Sequence, residues 1–208
     1  MTAAEKWWGI IGAYGSKIWP FQIISIIIAI VLALYLFLKS GKKANLLMKI
    51  YLSFSFAWLG ILFFMILGKG LTGNYFFGTV FTIIAILFAL DIYKQKMVFR
   101  LPTATWQKYL TIVLMLIVFC YPFVGMAFGH YFPKLIIAGT FPCPTTSLAL
   151  LLLTTALPGV DKILYGLLLF WAIPFPPFIQ IPKFGVYEDA IMFVIGIYSL
   201  VMLIKNWK

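Results

Sequence analysis

The histidine His130, the cysteine Cys143 and the adjacent acids Glu188 and Asp189 all lie in the last eighty residues of the chain. With Thr145 and Thr146 they make up the candidate binding pocket. A thiolate and an imidazole suit zinc or copper(I), so Cys143 and His130 are the candidate metal ligands. Their spacing matches no metal motif, however, and a lone cysteine commonly packs as a small hydrophobe. The same two side chains, supported by Glu188, are the one thiol–imidazole combination available for nucleophilic catalysis. No HExxH, GxGxxG, GxSxG or P-loop string accompanies them. Catalysis is therefore not the expected activity, no catalytic residue is assigned and no cofactor is implied. Without a metal, His130 reads as an interfacial histidine or as a proton acceptor near neutral pH. Glu188 and Asp189 either complement the N-terminus of the last helix or form a mouth that attracts cations.

The elements that must position these groups are apolar. The chain is 64% hydrophobic and 10% charged with a mean hydropathy of +1.07, against roughly 45–50% and 25% for a soluble domain. That composition excludes most soluble classes and predicts an all-α, polytopic integral membrane protein. The net charge of +11 does not indicate nucleic acid, because the basic residues fall between apolar runs, as the positive-inside rule requires. Two cysteines are too few for a disulfide framework. Residues 1–20, with Trp7, Trp8, Tyr14 and Trp19, show no signal-peptide pattern and read as an interfacial segment ending at Pro20.

A single transmembrane domain over 1–208 follows. Residues 21–128 hold four regular spans: Phe21–Leu38, Ile50–Leu67, Tyr75–Ile92 and Tyr109–Phe128, the last bent or interrupted at Pro122. Residues 129–208 form a proline-rich half of broken helices, since nine of the eleven prolines lie at or beyond Pro122. Thr145–Leu157 and Ile163–Ile173 are short against roughly 30 Å of hydrocarbon and make either a short hairpin or one crossing each. Ala190–Ile204 is the last span. Counting about seven helices puts eleven Lys and Arg on the side of the C-terminus and five on the other. The N-terminus is then outside and the C-terminus cytoplasmic.

Within this frame, Pro142-Cys143-Pro144 predicts an extended segment, because a residue before proline avoids the helical region. Thr145 or Thr146 would cap the short helix that follows. Its positive end would face a recessed hollow able to take polar substrate groups; the alternative is an ordinary proline-rich turn. Asp91 is expected to pair with Lys94 on the surface of the third helix, and Cys120 to pack in the fourth. No span carries a charge at mid-depth, which argues against a proton-driven pump with a buried carboxylate relay.

Trp19-Pro20, Tyr121-Pro122 followed by Gly125, Gly129-His130 and Pro133, the block Pro142-Cys143-Pro144-Thr145-Thr146, and the late Glu188-Asp189 pair together resemble the uncharacterised prokaryotic membrane family catalogued as domain of unknown function 6064. The resemblance covers nearly the whole chain and implies a small multi-helix membrane protein, with no activity and no functional residue to carry over. It also implies a prokaryotic plasma membrane as the location. The expected function is a small transporter or channel-like protein for a small polar solute or ion, with its site among the broken helices on the outer side. A non-catalytic membrane subunit is the alternative, and an intramembrane thiol enzyme the third reading. Expected partners are the lipid bilayer, a small solute or ion, and a further copy or membrane protein; nucleic acid is not among them.

Overall fold

A computed structural model of the chain describes residues 1–39 and 41–207, and the described residues are helical or irregular, without a strand. Helix α1 spans Ala3–Leu38, about 54 Å at 1.5 Å per residue. It runs through Pro20, where a break was expected. The first half of the helix is held by its packing: Tyr14 is buried and donates to the Thr140 carbonyl at 2.8 Å. Trp58 in turn donates to the Tyr14 hydroxyl at 2.8 Å. Farther along, Gln22, Ser25, Ala29, Ala33 and Leu36 are buried at helical spacing. Ile23, Ile27, Val31 and Leu34 on the other side are exposed, a face suited to lipid.

Helix α2 (Lys42–Ala57) continues as wide π turns over Trp58–Leu67, and α3 (Asn74–Lys94) returns beside it. Phe56 stacks between Phe81 and Phe88, with centroids 5.7 and 5.6 Å away. The two elements come close at Gly60 and Gly78. A Cβ on Gly60 would lie 2.7 Å from the Gly78 carbonyl oxygen. Gly60→Ala is therefore expected to cost about 1–3 kcal/mol through overpacking, read as a lower thermal midpoint of the solubilised protein. An unchanged midpoint would show that this approach does not set the spacing of the two helices.

Helix α4 (Thr105–Phe119) and α5 (Tyr121–Ala127) form a pair bent by 57° at Cys120. Pro122 starts the second piece, a position where its missing N–H is no loss. Helix α6 (Pro142–Thr155) is the centre of the molecule, packed against α2, α4, α7 (Lys162–Ala172) and α8 (Ala190–Lys205). Every one of its residues is buried. Near its end Thr154 and Tyr165 share a hydrogen bond of 2.8 Å, and Tyr165 donates to the Ser199 carbonyl at 2.9 Å.

Two expectations are corrected. The Ile163–Ile173 run does not stop short at the prolines; wide π turns over Pro176–Phe184 extend it, so Lys162–Phe184 makes one long apolar segment. Among the described residues five helices are long and apolar enough to cross a membrane, or six if the bent α4–α5 pair is one span. Helix α6 is short, as expected from the Thr145–Leu157 run: its 14 residues reach only about 21 Å. Asp91 does not pair with Lys94: it meets Lys49 of α2 at 2.6 Å, with both side chains buried. The same carboxylate also accepts from the backbone amides of Lys96 and Met97. Asp91 lies in the last turn of α3 facing α2 and not the surface, so proximity across two helices outweighs the local three-residue spacing.

Candidate functional site

The start of α1, the turn after α2, the segment before α6 and the end of the wide helix converge at one end of the molecule. Trp8 donates to the Phe184 carbonyl at 2.8 Å, and its ring packs on that of His130 with centroids 4.0 Å apart. Gly129, with φ +89°, turns the chain so that His130 faces inward. The His130 Nδ1 lies 2.9 and 3.1 Å from the two oxygens of Glu188, whose side chain is wholly buried.

Glu188 and Asp189 belong to a 3₁₀ turn, Tyr187–Asp189, that leads directly into α8. Asp189 occupies the cap position of α8, but its side chain makes no cap bond. It turns inward, where one oxygen accepts from the Tyr121 hydroxyl and the other from the Cys143 thiol at 3.1 Å. Gln180 of the wide helix donates to the Cys143 sulfur at 3.2 Å. The adjacent carboxylates thus diverge, Glu188 toward a half-buried imidazole and Asp189 toward a thiol and a phenol. Neither helix capping nor an exposed cation mouth describes them, because both acids are almost fully buried.

Thr145 and Thr146 do not act as expected. Helix α6 already starts at Pro142, with no side-chain cap. The Thr145 hydroxyl accepts from the Gly139 amide at 2.8 Å and donates to the Phe141 carbonyl at 2.5 Å, pinning the approach to the helix. Gly139 has φ +88°, and a Cβ there would collide with Ser25 and Tyr51. The Thr146 hydroxyl is buried and has no partner among the described residues. Pro142-Cys143-Pro144 is the first turn of the helix and not an extended segment. Its prolines occupy positions whose amides would be unpaired anyway. Since neither proline carries an N–H, little of the expected anion-attracting helix end is left.

Cys143 also lines a cavity of about 640 Å³. Its walls are aromatic, Trp7, Phe63, Phe77, Phe141, Trp171 and Phe184 among them, and Gln180 lies deep in it beside Cys143. Exposed Lys6, Thr72, Gly73 and Lys183 stand at its mouth. Among the described residues, no three His, Cys, Asp or Glu side chains are grouped to hold a metal ion. Cys143 and His130 instead engage different carboxylates. Sequence reasoning passed over Tyr121, Gln180, Trp8 and Trp171 as participants. Gln180 did leave a signal, as the one amide inside the apolar run Phe175–Ile181.

A bundle of long apolar helices around a buried central helix, with an acid–thiol–phenol cluster beside an aromatic cavity, defines the class, among the described residues, as an all-helical protein with five helices long and apolar enough to cross a membrane. The chain belongs to DUF6064, a family of unknown function, which it matches over residues 4–208. No curated protein and no solved structure matches it.

Proposed function

We propose that this chain is a membrane-embedded carrier for a small molecule bound in the aromatic cavity. The supporting observation is a cavity of about 640 Å³ with mainly aromatic walls, lined by the first turn of α6 and by the exposed residues Lys6, Thr72, Gly73 and Lys183. Beyond Cys143, the leucines Leu148 and Leu150–Leu153 are all fully buried against neighbouring helices. An open channel needs a continuous polar path, whereas a cavity beside a packed, apolar core fits a carrier resting in one of two states. The apolar walls move the expected cargo away from a small ion toward an amphipathic compound. In the proposed setting the exposed faces of α1 and α3 meet lipid. The cavity end, with Lys6 and Lys183 at its rim, faces outward and the opposite end the cytoplasm, the orientation expected from the distribution of Lys and Arg between the linkers.

Uptake into liposomes containing the purified protein checks this reading. A panel of labelled amphipathic acids, amines and neutral aromatics of up to about 30 heavy atoms would be offered, a size matched to cavities of this order. Saturable uptake of some members, lost when Cys143→Trp fills the floor of the cavity, is the expected result. Binding without uptake would replace the carrier with a receptor or subunit. Absence of both across the panel would remove the cavity as the site.

A further inference from the structure

The mainly apolar lining of the cavity combines exposed lysines with buried polar side chains. Lys6 of α1 and Lys183 of the wide helix stand at the mouth, on elements far apart in the chain. No acidic residue lines the cavity, and among the described residues neither ammonium is within ion-pair distance of a carboxylate. At the deep end, Gln180 and Trp171 are 6% and 7% exposed. Gln180 Oε1 and Trp171 Nε1 have no hydrogen-bond partner there among the described residues. Unpaired buried polar atoms cost free energy of roughly 1–3 kcal/mol each and call for an explanation. One is an acceptor and the other a donor, so a single hydroxyl could serve both.

Resting on the carrier reading above, we infer that the cavity's ligand is an amphipathic anion. Its acidic group pairs with Lys6 and Lys183, its apolar body lies among the rings, and a hydroxyl or similar group at its far end reaches Gln180 and Trp171. Two ammonium groups without acids reject a cationic head by repulsion. The aromatic walls supply most of the contact area, and the polar groups set orientation. An anion of this shape has two sources, a free hydroxy acid from the aqueous side or an anionic lipid entering from the bilayer.

The probe is 4′-hydroxybiphenyl-4-carboxylate, compared with biphenyl-4-carboxylate, neutral 4-hydroxybiphenyl and cationic 4′-hydroxybiphenyl-4-methylamine. Affinities are measured by calorimetry on the full chain in phosphatidylcholine nanodiscs. The hydroxy acid is expected to bind roughly tenfold tighter than either compound lacking one polar end, and the cation weakest. The Lys6→Ala/Lys183→Ala double variant should bring the hydroxy acid down to the affinity of 4-hydroxybiphenyl and leave 4-hydroxybiphenyl itself unchanged. Because both lysines are exposed, this variant is expected to fold. Equal affinities for acid and cation, or no effect of the double variant, would overturn the inference while leaving the cavity as a site. Equal binding of the two carboxylates would overturn the contact at the floor. If none of the four compounds binds, and none slows maleimide labelling of Cys143, the carrier reading itself falls. Adding phosphatidylglycerol separates the sources, both of which uphold the inference: competition with the probe identifies a lipid, and its absence a free acid.

Discussion

Lys49→Met should be among the most destabilising single substitutions in this chain, at about 3–5 kcal/mol. The variant leaves the Asp91 carboxylate buried without its 2.6 Å cation, and an uncompensated charge in a low-dielectric interior costs that much. The backbone amides of Lys96 and Met97 still donate to Asp91, so the loss falls short of that for a bare ion. Asp91→Asn leaves the Lys49 ammonium stranded instead and should cost a similar amount. The double variant Lys49→Met/Asp91→Asn removes both charges and should recover a large part, giving a coupling energy above about 1 kcal/mol. Thermal or denaturant unfolding of the four proteins in one detergent measures this. If the two single losses simply add, the pair is not an isolated buried ion pair.

Asp189→Leu should have the next largest effect, about 2–4 kcal/mol. It removes the only acceptor that the Tyr121 hydroxyl and the Cys143 thiol have among the described residues, leaving two buried donors unpaired at roughly 1–3 kcal/mol each. Asp189→Asn keeps an oxygen in place and should cost less than half as much. Once Tyr121 is phenylalanine, the leucine variant should lose less further stability, because one stranded donor has gone. Unfolding midpoints decide it: equal stability of the leucine and asparagine variants would mean that the carboxylate is not holding α5, α6 and α8 together.

The long helices were legible because apolar runs of twenty residues closed by Lys or Gly leave few alternatives. The bend in the fourth segment was legible too, since Pro122 cannot continue an unbroken hydrogen-bond ladder. Pro20 misled for the opposite reason: the same rule predicted a break, but the bonds from Tyr14 and Trp58 hold the first turns of α1 in line. The partner of Asp91 was illegible because spacing reports only neighbours three or four residues away, and Lys49 is 42 positions distant. The gathering of His130, Cys143, Glu188 and Asp189 at one end could be read from alternating linkers. Which acid faces which partner could not, because a 3₁₀ turn rather than a regular first turn sets the direction of Glu188 and Asp189. Thr145 was assigned to the cap since proline was expected to delay the helix. Proline instead begins it, and the threonine is left inside to bond Gly139.

The enclosure of α6 bears on how such a chain is made. A helix with every residue covered by protein gains nothing from lipid, and at 14 residues it is too short to hold a membrane position alone. In the proposed setting it would emerge from the ribosome before α7 and α8, which form much of its sheath. Its hydroxyls on Thr146, Ser147, Thr154 and Thr155 would meanwhile face an unfinished wall. The order of synthesis thus leaves the hub of the structure waiting for its own surroundings, and the last segment to arrive, α8, both closes the bundle and delivers Glu188 and Asp189 to their partners.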